Sequence, residues 1–354
     1  MWKYILKRLG YMLVVLLILS FLMYLIYDLI PNDLARQELE PRKADLIKQG
    51  TYEQQYNELR QQYGQDDTVI IRYLRWIGVV KGNDVYRNGD PDTGYLLKEG
   101  ELDGLLQGNL GYSRKEGKPA VELIGEPMKN TVYLNIFVTI FTLALTIPLG
   151  IFCAVKRGSK RDTVVQMVTI VGYSIPVFIT AILFIWLLAV IFPIFPVSGM
   201  KTPGADYVGF RATLDKLYYM ALPAIVMIFT SLGGMTRYVR AAMIEALSMD
   251  CIRTARAKGI REKVVIYSHA WRNALIPIMT LVIGWFLSIF SGSIMVENIF
   301  GLNGVGKIYI NSLTTSDFEV VLALQMFYVC ISLVGNLIID LAYGLADPRI
   351  RVDR

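Results

Sequence analysis

Histidine and cysteine are nearly missing from this chain. It has one histidine, His269, and three cysteines, Cys153, Cys251 and Cys330. No two of these stand at metal-ligand or redox spacing, and a structural zinc site needs about four such ligands, so metal binding is rejected. The polar stretch 31–128 contains no cysteine, which excludes disulfide stapling there. Titratable groups are also scarce within the apolar runs. Asp28, Glu297 and Asp340 stand near the ends of such runs, where interfacial water is expected to reach them, and His269 beside Trp271 and Arg272 reads as an interface anchor. A proton relay or ion site needs titratable groups at membrane depth. An intramembrane protease needs paired Asp, a Ser–His pair or zinc in its spans. The sequence argues against both classes.

A phosphate cradle is lacking too. "GLNGVGKIY" (301–309) sets Gly301, Gly306 and Lys307 at P-loop spacing, but Ile308 stands where Ser or Thr must offer a hydroxyl to Mg²⁺. These glycines are expected to shape a tight turn, or a short segment dipping back toward the membrane.

What the sequence does have is apolar length. Of 354 residues, 54% are hydrophobic, and the mean hydropathy is +0.43. A soluble domain of this size must keep its surface polar and rarely reaches that average. The chain is therefore read as an all-α, multi-spanning membrane protein. Its net charge of +6 reflects Lys and Arg gathered on the cytoplasmic side, and nucleic acid is not an expected partner.

Spans are expected at about 9–30, 131–155, 163–196, 219–236, 274–296 and 319–346. The first is too long, and lacks the small-residue site, for a cleaved signal peptide. The third would reach about 50 Å as a straight helix, against about 30 Å of hydrocarbon. It is one span kinked near Pro176, or two short ones. Charge decides. "KRGSKR" (156–161) carries four basic residues and no acid, and the loop 237–272 carries eight basic residues against three acids. Both belong inside, so 163–196 crosses once. Six spans and two cytoplasmic ends follow, in agreement with Lys3, Lys7, Arg8, Arg349, Arg351 and Arg354. The segments are 1–30, tail and first span; 31–128, a polar extracytoplasmic domain; 129–346, spans 2 to 6 with loop 237–272; and 347–354, a cytoplasmic tail. Within 31–128, "TYEQQYNELRQQYG" (51–64) reads as a helix stopped by Gly64. "IIRYLRWIGVV" (70–80) reads as packing on the outer membrane face. The stretch 81–104, dense in turn signals, reads as a hairpin or loop.

In the fifth span Gly284, Ser288 and Gly292 recur four apart, which fits either tight helix packing or a face along a pathway. The loop 237–272 is more specific. Residues 240–258 are rich in helix formers, and Ile244, Leu247, Cys251 and Ala255 share one face. Gly259 supplies a left-handed position to end the helix, and a second short helix from about Arg261 leads into the fifth span.

In "EALSMDCIRTARAKG" (245–259) this loop resembles the EAA loop of ABC-importer permeases of the dipeptide/oligopeptide/nickel branch, through Glu245, Ala246, Asp250, Ile252, Thr254, Ala255, Arg256, Ala257, Lys258 and Gly259. Arg272, Asn273, Ala274, Leu275 and Pro277 match a second part. "QGNLGYS" (107–113), "IPLGIFCAVKRGS" (147–159), "SIPVF" (174–178) and "DPRIR" (347–351) follow in family order. Cys251 stands where that family usually has Tyr, and 81–104 is an added piece.

The resemblance implies a type I importer permease fold in a bacterial cell membrane, forming half of a pathway for peptides. Nickel, glutathione or an oligosaccharide is the alternative cargo, and a stand-alone channel is the rival class. The implied partners are a homologous second permease, two ATPase subunits, an extracytoplasmic solute-binding protein and the lipid bilayer. No cofactor is expected on this chain, ATP and Mg²⁺ being held by the ATPases. The helix 245–259 would couple to an ATPase, and Gly284, Ser288, Ser291 and Gly292 would line the pathway.

Overall fold

The computed structural model describes residues 2–30, 33–86, 92, 96–113 and 115–346. The tail 347–354, with Arg349, Arg351 and Arg354, lies outside the described residues. Helices α1 (Trp2–Asp28), α2 (Leu34–Leu39), α3 (Lys43–Gln49), α4 (Tyr52–Gln62) and α5 (Val69–Ile77) come first. Strands β1 (Val85–Tyr86) and β2 (Leu96–Lys98) pair antiparallel, as do β3 (Tyr112–Ser113) and β4 (Lys118–Pro119). Then follow α6 (Ala120–Val155), α7 (Lys160–Ser174), α8 (Val177–Ile185), α9 (Phe210–Ser248), α10 (Asp250–Ala257), α11 (Glu262–Val264), α12 (Trp271–Leu287), α13 (Ile294–Ile299), α14 (Val305–Thr314) and α15 (Phe318–Ala346).

Five helical stretches are long and apolar enough to cross a membrane, or six if the bent pair α7–α8 is one span. That pair turns by 103° at Pro176, which lacks the N–H a continuing helix would use. By contrast α6, α9 and α12 continue through Pro148, Pro223 and Pro277, as helices in a membrane can. Tyr238 ties α9 to α12 by donating to the Pro277 carbonyl at 3.1 Å. Apolar side chains such as Leu13, Ile18, Ile140 and Val168 are exposed, as expected of surface that faces lipid or another subunit.

The chain divides into two compact units. The first comprises Leu9–Leu123 and Ser312–Val329. Its core joins Tyr24, Tyr73, Ile77 and Leu322, and Arg72 pairs with Asp28 at 2.7 Å. Thus 70–80 packs on the end of the first span. The hydroxyl of Ser113 hydrogen-bonds the Asp317 carboxylate, and the Tyr112 amide donates to Glu319 at 2.8 Å. Helix α4 ends before a left-handed Gly64, and β1–β2 make the hairpin expected in 81–104, most of whose tip lies outside the described residues.

The second unit comprises Met1–Arg8, Ile124–Asn311 and Cys330–Arg354. It has two cores. One joins α6, α9, α10 and α12 through Ile151, Val239, Met243, Ile252 and Ile278. The other joins α6, α8, α9 and α13 through Leu134, Ala181, Leu222, Val296 and Phe300. Helices α7 and α9 approach so closely at Gly233 that a Cβ there would collide with Thr169 and Tyr173.

Candidate functional site: the basic loop and a buried carboxylate

Two features of the second unit stand out. The first is the loop 237–272. The sequence suggested one helix over 240–258, but the helix breaks at Met249, whose ψ of 149° is extended. The turn changes which residues face inward. Ile252 and Ala255 are buried against Val265, Ile266 and Ala246, whereas Cys251, one turn before Ala255, is exposed. Helix α10 is thereby fixed to the spans by two apolar residues and presents its polar face outward. Glu245, Asp250, Arg253, Thr254, Ala257, Lys258 and Gly259 are all exposed. Gly259, at φ +74°, reverses the chain in the left-handed region as expected. Across the turn Arg256 donates twice to Glu262, at 2.7 and 3.1 Å. The second motif is brought to the same place, with the Asn273 side-chain amide 3.8 Å from Cys251 Sγ and 3.0 Å from the His269 carbonyl. Beside α10 lies a cavity of about 590 Å³ lined by Cys251, Tyr267, His269, Trp271 and Arg272.

A buried ion pair, unmarked in the sequence, ties this loop to α7. Arg240 donates to both oxygens of Asp162 at 3.0 and 2.9 Å, and the Gly158 amide and Gln166 also donate to Asp162. The Asp162 side chain is 2% exposed. Removing one partner of such a pair strands the other charge. Asp162→Ala should therefore cost about 3 kcal/mol, read as a lower melting temperature in detergent. Replacing both Asp162 and Arg240 by Leu should recover most of that loss; a double variant as unstable as Asp162→Ala would contradict the argument.

The second feature corrects two expectations. Glu297 does not reach interfacial water: it is 1% exposed. The fifth span is not one helix to residue 296. Helix α12 ends at Leu287, a short 3₁₀ turn covers Ser288–Phe290, and Ser291 is extended. Gly284, Ser288 and Gly292 therefore do not share a helix face. Ser288 and Ser291 are exposed and Gly284 has open space around it, but Gly292 is walled in by Gly306 and Glu297. Across the break, Asn135 donates to the freed carbonyls of Ile289 and Ser291, both at 2.8 Å. Below it Thr131 donates to Glu297 at 2.9 Å, the Lys307 amide donates to Glu297 at 3.0 Å, and the Val305 amide donates to Thr131 at 2.9 Å.

GLNGVGKIY does cradle an acidic group, and that group is the protein's own Glu297 carboxyl. Glu297 sits at the N-terminus of α14, where amide groups point outward unpaired and favour negative charge. Gly304 leaves the room: a Cβ there would stand 2.6 Å from Glu297 Oε1. The sequence signal was a lone acid with glycines at 292, 301, 304 and 306 around it.

Comparison with known proteins adds the lineage. Residues 146–352 match the family described as "Binding-protein-dependent transport system inner membrane component". Residues 1–97 match its N-terminal counterpart, "Binding-prot-dependent transport system membrane comp, N-term". The chain is 32% identical over 351 residues to the oligopeptide transport system permease protein AppB of Bacillus subtilis, covering 99% of each. It is 29% identical over 368 residues to the dipeptide transport system permease protein DppB of Escherichia coli K12, again covering 99% of each. A chain from the inward-facing MetNI methionine ABC transporter is 18% identical, with a TM-score of 0.46 over 62% of this chain and 96% of that one. With more than half its length matched by the first profile, and AppB related end to end, the chain is a multi-pass membrane protein that belongs to the family of binding-protein-dependent transport system inner membrane components.

Proposed function

We propose that this chain is one of two permease subunits of an ATP-driven importer, that its loops 156–161 and 237–272 face the cytoplasm, and that its cargo is a peptide. A homologous permease completes the pathway, two separate ATPases supply the hydrolysis, and a solute-binding protein delivers cargo from outside. The observation that carries this is the outward polar face of α10, with Asp250, Arg253 and Lys258 exposed while Ile252 and Ala255 fasten the helix to α9 and α12. A helix pushed from its polar side transmits that force to the spans through its apolar side. The names of the relatives support peptide as the cargo class. Gly284, Ser288 and Ser291 are the pathway-lining candidates on α12 and the turn that follows it.

Extraction from native membranes in mild detergent tests this reading. Two ATPases, a second permease and a binding protein should accompany the chain, and the ligand on that binding protein identifies the cargo. A chain that emerges alone, and binds no ATPase with ATP present, points instead to a stand-alone channel. Glu245→Lys reverses a charge on the exposed docking face. It should weaken ATPase co-purification by about tenfold, since losing a close charge pair at an interface costs at least 1.4 kcal/mol. Unchanged co-purification would remove Glu245 from that contact.

A further inference from the structure

At the end of the second unit away from the basic loops, two cavities meet at one lysine. The first, of about 560 Å³, is lined by Glu126, Asn130, Lys201, Asp206, Tyr207 and Lys216 among others. The second, of about 520 Å³, is an apolar groove between α6 and α9 formed by Tyr133, Ile136, Phe137, Ile140, Phe141 and Leu217. Ala212 and Lys216 belong to both, so polar cavity and apolar groove are continuous.

Lys216 is half-buried. Its ammonium donates to Asn130 Oδ1 at 2.6 Å and lies 5.4 Å from the Tyr133 ring centre. Among the described residues no carboxylate pairs with it. Glu126 on the same cavity acts on it electrostatically without a direct pair, and a partly desolvated cation so placed still attracts an anionic group. The cavity also has carboxylates. Asp215 is engaged by the amide and hydroxyl of Thr202, but Glu126 is exposed and makes no ion pair among the described residues. The two cavities carry Tyr133 and Tyr207, the residue type that collects at the headgroup level of a bilayer.

The geometry points to a zwitterionic glycerophospholipid of the phosphatidylethanolamine class. Its phosphate rests on Lys216, its ammonium turns toward Glu126, and one acyl chain lies along Ile136, Phe137, Ile140 and Phe141. Phe137 and Phe141, with ring centres 4.3 Å apart and planes inclined by 36°, make an apolar wall for that chain. Phosphatidylglycerol would satisfy Lys216 and the groove but would bring no cation to the carboxylates on the rim. This assignment stands independently of the cargo.

The test is native mass spectrometry and lipid extraction of the purified complex, after reconstitution with equal amounts of palmitoyl-oleoyl phosphatidylethanolamine and phosphatidylglycerol. The parent protein should retain the ethanolamine lipid about tenfold over the glycerol lipid, and Lys216→Gln should lose about tenfold in retention, as expected for one charge-assisted contact. Glu126→Gln should keep lipid but lose the preference between classes, which a general loss of structure would not do. Ile140→Trp, which fills the groove, should evict the lipid while leaving elution and melting temperature unchanged. Equal retention of both lipids by the parent, or undiminished retention by Lys216→Gln, would overturn the assignment. Ile140→Trp releasing the second permease rather than lipid would also overturn it, and would make the groove a subunit interface.

Discussion

Gly259→Leu should abolish uptake while leaving the chain in the membrane at its normal level. The position is left-handed, at φ +74°, and a Cβ built there meets nothing within 4 Å. The penalty inside the chain is therefore conformational, about 1–2 kcal/mol for a side chain in the left-handed region. That alone shifts the turn between α10 and α11 by a factor of about ten. The leucine also projects from the exposed face on which we place the ATPase, so docking suffers in addition. A graded series separates these causes. Asn, which tolerates left-handed backbone, should keep most of the uptake. Ala should lose part of it through the backbone alone, and Leu nearly all. ATP hydrolysis by the complex should continue in the Leu variant, the mark of uncoupling. Normal uptake by Gly259→Leu would end the coupling argument.

That turn was legible because a left-handed glycine after a run of helix formers is a local signal. So were the places of the apolar spans along the chain, the stop at Gly64 and the bend at Pro176. What escaped is what other segments impose. The fifth span reads as a continuous apolar run, and hydropathy reports polarity without reporting breaks. It ends at Leu287 because Asn135, 154 residues from Ile289 in sequence, caps the carbonyls that a break exposes. Met249 was hidden for the reverse reason: apolar spacing continued across it, so Cys251 fell on the expected inner face while the turn handed that place to Ile252. The pair Asp162–Arg240 spans 78 residues; Arg240 reads as one of eight basic residues in its loop, and Asp162 stands just past the other basic loop with nothing local to mark it. Polar side chains along α6 have the same character. Thr131, Asn135, Thr139, Thr142 and Thr146 recur at helical spacing and are all buried, yet hydroxyls and one amide barely register in an average dominated by Leu, Ile and Phe.

Glu297→Ala should be among the most damaging single changes in the chain. It removes the acceptor for the Thr131 hydroxyl and the Lys307 amide, and leaves both donors in a site that is 1% exposed. Each orphaned donor costs about 1–3 kcal/mol, and the emptied volume adds to that. A total of about 4 kcal/mol corresponds to a melting temperature lower by about 5 °C in detergent. Glu297→Gln should be much milder. Its one oxygen can take the Lys307 amide, and Thr131 can turn to accept from its NH₂, at a loss of about 1 kcal/mol. Gly304→Ala should approach Glu297→Ala from the other side, since its Cβ would press on the same carboxylate. If the cradle fixes the segment 294–311 against α6, all three variants should raise the labelling of cysteines placed there in the order Gln, then Gly304→Ala, then Ala, with Cys153, Cys251 and Cys330 replaced beforehand. A Glu297→Ala protein that melts and labels like the parent would show that the glycines of 301–309 serve the turn alone, and that the carboxylate they surround holds nothing in place.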